Sequence, residues 1–425
     1  MGDLQSNVVC TGCSLLCDDI VVELENGKIK TTHHVCARGY GRYYQIAFKY
    51  RLLSPLKRIN GKQQEISYED AIQETIDLLK KAKNPFFYGW ASTTSEAQQK
   101  GIQLAQKFKA GIDCATNSTT GIVLQQLNAK NIQIPQLEDI KDNADLLLFW
   151  GCNPTASHIR LLSKFALLPR GANTDRGIED RVAISVDIRK TDMTKFSEEI
   201  LQIEPGEDKA LLEALIQIIQ GKSLTEDIIA NIPRKTIYNV ANIIKEANFG
   251  VLFFGNGYAK TQENMDTLLR FFETVNQKGI KIGAVPLDGG YNAVGFNLNL
   301  KKHVNLELNA DFQSSPPTQT PNFLIESLKQ DKIDLLVVVG ADPISNLPFH
   351  VCKLFAKIPI ICIDYQQTPT TKVSHIVIPT TIPGVESAGT AYRLDYKPIT
   401  LKKILEPPEG IYSDEEILNA LLEQS

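Results

Sequence analysis

Helical stretches alternate with near-continuous apolar runs along most of this chain, and that alternation constrains the fold more than any other feature. Pro85–Tyr88, Asp145–Gly151 (DLLLFWG), Arg181–Asp187 (RVAISVD), Asn248–Gly255, Asp334–Gly340 (DLLVVVG) and Ile358–Asp364 read as strands. Tyr68–Lys83, Ser95–Lys109, Arg160–Ala166 and Met265–Lys278 read as helices between or beside them. Runs without polar alternation predict strands buried on both faces, hence parallel sheets covered by helices and an α/β fold. Nearly every run ends in Gly, Asn or Asp, at the carboxyl edge where open α/β sheets bind ligands. The similar segments WGCNP (150–154) and VGADP (339–343) point to two related Rossmann-like halves. Asp311–Asn322, polar and Pro-rich, reads as a surface loop.

The N-terminus carries a different signal. Cys10, Cys13, Cys17 and Cys36 follow the pattern C-x2-C-x3-C-x18-C. Three thiols on one tight loop and a distal fourth suit a [4Fe–4S] cluster. Four cysteines also make tetrahedral zinc sites, though those usually pair two C-x2-C hooks, and unliganded structural thiols are a third reading. Residues 18–31 read as a hairpin turning at Asn26-Gly27, which returns the fourth cysteine to the first three. His33 and His34 are expected to face solvent, and Cys114, Cys152, Cys352 and Cys362 to be core thiols.

The strand-end residues are candidates for holding a nucleotide-like ligand. They are Gly151, Asn153, Asp187, Gly255, Gly257, Gly340 and Asp342. Each is also an ordinary turn or helix N-cap residue, so their repetition carries more weight than any one of them. In the C-terminal run 376–399, Arg393 is expected near Glu386, as a surface ion pair or as a brace for a cofactor loop.

Composition narrows the function classes. The formal net charge of -4 argues against a nucleic-acid binder. No apolar run of about 18 residues occurs, so no membrane span is expected. The opening MGDLQSNVVCTGC has neither a positive n-region nor an apolar h-region, so no Sec signal peptide is expected. Eight cysteines in such a chain fit reduced thiols or metal ligands, and so a cytoplasmic protein.

Taken together, CTGCSLLCDDI (10–20), WGCNP (150–154), FFGNGYAKT (253–261), GGYNAVG (289–295), VVVGADP (337–343) and GVESAGTAYRLDYKPI (384–399) resemble the molybdopterin oxidoreductase superfamily of the formate dehydrogenase type. SDEEIL (413–418) fits too. Within it, they resemble the B subunits of formylmethanofuran dehydrogenases and of formyltransferase/hydrolase complexes more closely. That resemblance implies a small N-terminal iron–sulfur domain followed by two Rossmann-like three-layer α/β domains. By analogy, residues 1–57 with about 379–400 form the cluster domain and 58–140 with 281–378 one α/β domain. Residues 141–280 form the other, and 401–425 a tail. It also implies a molybdopterin or tungstopterin guanine dinucleotide pocket, to which Asn292 and Arg393 are added as candidate residues.

Three positions depart from the pattern. In the dehydrogenases the metal-ligating Cys or selenocysteine is followed by His and Gly, and aligned at Gly121 those two positions are Thr119 and Thr120. The family's catalytic Arg before the GHYN-like motif is Asp288. A neutral hydroxyl is a poor substitute for a soft thiolate, and an aspartate repels formate. Cys114 lies five residues before Thr119, so taking over as ligand would need another loop register.

The resemblance therefore implies that the chain is a redox-inactive B-type component. Its partners would be an amidohydrolase-like A subunit, a C subunit and a formyltransferase D subunit. In such a complex a formyl group passes from tetrahydromethanopterin to methanofuran and a separate subunit releases formate. An active molybdenum or tungsten subunit, and a structural or electron-transfer iron–sulfur subunit of another complex, are the alternative expectations.

Overall fold

A computed structural model describes residues 3–44, 50–255, 258, 262–287 and 289–425. It divides the chain into two compact units, residues 1–121 with 289–425 and residues 122–288.

The second unit is built on a five-stranded, all-parallel sheet. Its order across the sheet is Glu199–Gln202, Val182–Asp187, Leu146–Trp150, Gly250–Phe254 and Ile282–Pro286. Leu146–Trp150 and Gly250–Phe254 are buried at every position, as their unbroken apolar sequence requires. Helices Asp208–Ile219, Arg234–Glu246 and Gln262–Gln277 add to the core on this sheet, with Leu211, Leu215, Ile237, Ile244, Phe271 and Phe272 buried.

The first unit holds an eight-stranded sheet. Its parallel centre runs Gly111–Cys114, Pro85–Gly89, Leu335–Val339, Ile360–Asp364 and Ile376–Pro379. Asn309–Asp311 closes one edge antiparallel, while Leu56–Ile59 and Lys62–Glu65 close the other. Helix Tyr68–Lys81 starts at a Ser67 cap and Ser95–Lys107 at a Thr94 cap, each hydroxyl accepting from a first-turn N–H. The Asp414–Gln424 helix opens with a capping box between Ser413 and Glu416.

The parallel centres of the two units share one spatial order. Leu146–Trp150 corresponds to Leu335–Val339, Val182–Asp187 to Ile360–Asp364, and Glu199–Gln202 to Ile376–Pro379. Gly250–Phe254 and Ile282–Pro286 match Pro85–Gly89 and Gly111–Cys114, but follow their partner strands in one unit and precede them in the other. The halves suggested by WGCNP and VGADP are thus alike in space and permuted in chain order.

Three strands, Asp3–Val8, Ile20–Glu25 and Lys28–His33, form a separate antiparallel sheet. The hairpin between the last two turns at Asn26 and Gly27, both left-handed (φ 53° and 71°), as the Asn-Gly pair predicts.

Several elements differ from the sequence reading. Arg160–Ala166 is not an α-helix: Leu161–Phe165 is a single π-turn, because Ala166 and Leu167 donate to carbonyls five residues back. Residues 122–140 and 281–288 belong with the second unit rather than the first. Val123 and Leu127 pack into that unit's core and Ile282–Pro286 pairs with Gly250–Phe254.

Gly101 lies under the fully buried Trp90, and a Cβ there would sit 2.0 Å from the indole ring. Gly101→Ala is therefore expected to destabilise the protein by about 2 kcal/mol through overpacking, read from the midpoint of a urea unfolding curve.

Candidate functional site

The cysteine loop closes on itself through the backbone. Cys10 N–H donates to the Cys17 carbonyl at 2.9 Å and Leu16 N–H to the Cys13 carbonyl at 3.2 Å. Leu16 adopts a left-handed φ of 41° and is buried, so the turn is held by its packing. Cys10, Cys13 and Cys17 are buried, and Cys36 is half-buried just ahead of helix Ala37–Tyr44. Gly12 and Gly39 make room for one sulfur: a Cβ on either would lie 3.3 or 3.0 Å from Cys10 Sγ.

Burial pushes the Cys10 thiol up to about 12; the Gly12 N–H opposes that, while Cys17, Cys13 and Cys36 raise it further. Cys13 is raised chiefly by burial, against its hydrogen bond to Leu15 N–H and the charge of Arg38. The four sulfurs thus feel one another, and a bound cation would invert this preference for the neutral form. Among the described residues, no three His, Cys, Asp or Glu side chains group tightly enough to hold one metal ion. One zinc needs its thiolates to converge on a single point, whereas a cubane takes one thiolate on each iron. The glycines at 12 and 39 leave room beside Cys10 Sγ of the kind a bound group needs. His33 and His34 are exposed, as expected, and His34 Nδ1 lies 3.0 Å from the Asp19 carbonyl.

The C-terminal run packs against this loop. Leu394 N–H donates to the Ser14 carbonyl at 3.1 Å, and Thr11 Oγ1 to the Pro383 carbonyl at 3.0 Å. Val9, Leu16, Tyr291, Ala391, Ile399 and Leu401 form a small shared core. The expected Arg393–Glu386 pairing is corrected. Arg393 Nε donates to Asp395 Oδ1 at 2.7 Å, because Tyr396 is left-handed (φ 66°) and the tight turn folds Asp395 back. Glu386 pairs instead with Arg51 at 2.6 Å. Both pairs are buried, not on the surface.

The strand-end candidates divide between the units. Gly151 and Gly340 take the same left-handed conformation (φ 57° and 58°), and each donates to the end of the neighbouring strand, at Val186 and Ile363. Asn153 and Asp342 then precede four-residue helices beginning at Pro154 and Pro343. A Cβ on Gly255 would meet the Gly151 carbonyl at 2.7 Å, so these two strand ends touch through glycine alone. Asn153 Oδ1 accepts from Thr155 Oγ1 and Asp187 Oδ1 from Arg189 N–H. Asp342 accepts from Thr370 and Ser345. Asn292 is fully buried, donating to the Thr93 carbonyl and accepting from Tyr392 N–H. Asn292 and Arg393 are thus both buried and tied within the protein. Gly257 lies outside the described residues.

Thr119 and Thr120 sit in a π-turn, Asn117–Gly121, directly after the Gly111–Cys114 strand. Thr119 Oγ1 donates to the Thr116 carbonyl at 2.9 Å, and Thr120 is fully buried. Gly121 is required here, since a Cβ would lie 2.6 Å from Asn117 Oδ1. Cys114 is buried, its sulfur 3.5 Å from Thr116 Oγ1. Of the other expected core thiols, Cys152 and Cys362 are buried, but Cys352 is half-buried near the Ile344 and Leu347 carbonyls. Asp288 lies outside the described residues.

Asp113, just before Cys114, was not legible as special. Burial pushes its carboxyl up to about 7, against hydrogen bonds from Asn117, Leu324, Cys114 and Asn309. Arg42 and Arg51 were also missed, although two arginines in the tyrosine-rich stretch after Cys36 are a visible signal.

The molybdopterin oxidoreductase model matches residues 51–424. The chain belongs to that family. It is 36% identical, over 98% of both chains, to the B subunit of the tungsten-containing formylmethanofuran dehydrogenase 2 of Methanocaldococcus jannaschii. The corresponding subunit of Methanococcus maripaludis matches at the same identity and coverage. Among solved structures, the formyltransferase/hydrolase complex of Methylorubrum extorquens, crystallised with methylofuran, aligns with a TM-score of 0.69 at 15% identity. That match covers 87% of this chain and 98% of that one. Acetylene hydratase from Pelobacter acetylenicus aligns at 0.70 and 14% identity, covering 99% and 69%. At these identities the structural matches establish a shared mixed α/β fold. No helix among the described residues is long and apolar enough to cross a membrane.

The raised Asp113 carboxyl has a definite sign in stability. Between the ordinary carboxylate range and about pH 7 the folded state holds a proton that the unfolded state has released, so stability falls as pH rises through that window. Asp113→Asn is expected to flatten this slope between pH 5 and 8, measured as the difference in urea unfolding free energy across that range.

Proposed function

We propose that this chain is the B-type component of a formylmethanofuran-handling complex, carrying a [4Fe–4S] centre on Cys10, Cys13, Cys17 and Cys36 without a working molybdenum or tungsten site. The full-length likeness to formylmethanofuran dehydrogenase B subunits supports the carrier chemistry. The observation that carries the non-redox part is the Thr119-Thr120-Gly121 turn. Neither hydroxyl is a soft ligand, and that of Thr119 is already committed to a backbone carbonyl. Cys114 is a poor replacement, because its sulfur is buried at a strand end beside Thr116.

In this reading formyl transfer and hydrolysis belong to partner subunits, an amidohydrolase-like A subunit and a formyltransferase D subunit with C. This chain supplies the scaffold on which they assemble. The cluster, when bound, supplies a one-electron centre, and here it chiefly staples the N-terminal loop. Gly12 and Gly39 leave room for it, and the C-terminal run holds the loop through Ser14 and Thr11. Cys36 follows the hairpin that returns it to the loop. The pterin-dinucleotide pocket, if kept, would use the glycine strand ends at Gly151, Gly255 and Gly340. Eight free cysteines suit a reducing, cytoplasmic setting.

The 36% identity to tungsten-containing relatives favours a second reading, an active tungsten subunit with an altered ligand set. Elemental analysis of the anaerobically purified complex separates the two. About four irons per chain with neither molybdenum nor tungsten in stoichiometric amount is expected, alongside formyl hydrolysis that needs no electron acceptor. Stoichiometric tungsten or molybdenum together with formate-dependent dye reduction would overturn the proposal.

The staple role has its own consequence. Cys13→Ser is expected to lower iron per chain to well under half of the wild-type value and to lower the thermal midpoint of the complex, followed by iron assay and calorimetry.

A further inference from the structure

Arg42 lies on helix Ala37–Tyr44, six residues after Cys36. Its Nε donates to Thr11 Oγ1 at 2.9 Å, and Thr11 is the residue immediately after Cys10. Its Nη1 donates to Tyr365 Oη at 2.5 Å, at the end of the Ile360–Asp364 strand. The guanidinium carbon stands 4.7 Å from the Tyr365 ring centre and 5.9 Å from that of Tyr291. Nη2 is buried and has no hydrogen-bond partner among the described residues.

This arrangement is costly as it stands. A buried cation that lacks one acceptor and has two aromatic rings for company is poorly compensated. The nearest carboxylate help is weak: burial pushes Asp364 up to about 7, so it is only partly ionised near neutral pH. Glu386 is engaged by Arg51. Burial pulls the Arg42 guanidinium down, but Tyr365, Tyr291, Cys10 and Asp364 oppose it and leave it raised overall. Through Thr11 the guanidinium is anchored one residue from Cys10. Arg38, on the same helix, also faces a cysteine, Cys13, but it is exposed and its field is screened by solvent. The field of Arg42 is not.

We infer that Arg42 is the charge-compensating and positioning residue of the cysteine-bound cluster, holding the Cys10 loop through Thr11 and favouring the more negative, reduced state of the cluster. The inference rests on the cluster reading above and is independent of whether tungsten or molybdenum is present. A four-thiolate [4Fe–4S] centre carries net negative charge, and taking up one electron adds another. A buried positive charge stabilises the reduced state more than the oxidised one, so it raises the reduction potential. A residue that merely ties Thr11 to Tyr365 would change stability and leave the potential unmoved.

The test is a redox titration of the anaerobically purified complex, followed by electron paramagnetic resonance, with iron counted in each sample. Arg42→Gln is expected to keep iron and to lower the ratio of reduced to oxidised cluster about tenfold at a fixed potential, a fall of about 59 mV for one electron. Arg42→Lys, which keeps the charge, is expected to remain within about threefold of wild type. Arg42→Gln with full iron and an unchanged midpoint would overturn the inference while leaving the cluster intact. If Arg42→Gln loses its iron, retention in Arg42→Lys supports the inference, and loss in both overturns it by marking a requirement for folding alone. Wild-type complex without iron would overturn the cluster reading and this inference together.

Discussion

Two parallel sheets that must be covered on both faces leave few places for chemistry. Their central strands are buried along their whole length, and helices occupy the faces. Polar groups can gather only beyond the strand ends, where backbone donors and acceptors have run out of strand partners. In the first unit that edge carries Gly340, Asp342, Asp364 and the loop after Pro379. The cysteine loop is held by Pro383 through Thr11, by Leu394 through Ser14, and by Tyr365 through Arg42. In the second unit the strand-end edge carries Gly151, Asn153, Asp187 and Gly255.

The shared order of the two parallel centres gives that edge a common design. In each unit a left-handed glycine follows the central strand, an Asn or Asp caps a one-turn helix, and a proline starts it. The permutation of chain order shows that strand pairing, not connectivity, is what the two halves keep. It also places the crossover between neighbouring strands of opposite connection at the same point in both, which is where open sheets leave a crevice. The side chains differ: Asp342 is tied down by Thr370 and Ser345, whereas Asn153 accepts from Thr155 alone among the described contacts.

Much of the fold was legible because apolar runs and helix caps are local signals. Leu146–Trp150 and Leu335–Val339 could be read almost to the residue, and so could the Asn26-Gly27 turn. Gly111–Cys114 and Glu199–Gln202 were not, since each is four residues long and is a strand only because its neighbours pair with it. The unit boundary was misplaced for the same reason: Val123 and Leu127 reveal their core only in three dimensions. Of the candidate site, the cysteine spacing was plain in the sequence. Ion-pair partners were not, because Arg51 reaches Glu386 across 335 residues of chain, and nothing local distinguishes Asp395 from Glu386 as the partner of Arg393. Asn292 likewise reaches far along the chain, tying Thr93 to Tyr392.

The π-turn at Asn117–Gly121 is closed almost entirely by groups other than the side chain at 119. Its closure depends on backbone donors at Thr119 and Gly121 reaching the Thr116 carbonyl, and on the Asn117 side chain, which ties it to Asp113. The side chain at 119 adds one hydroxyl bond and nothing else that holds the turn together. The position is a socket: its occupant can change from one residue type to another while the walls stay standing. A change of side chain at 119 therefore carries little penalty in folding, and the scaffold alone places few demands on which residue stands there.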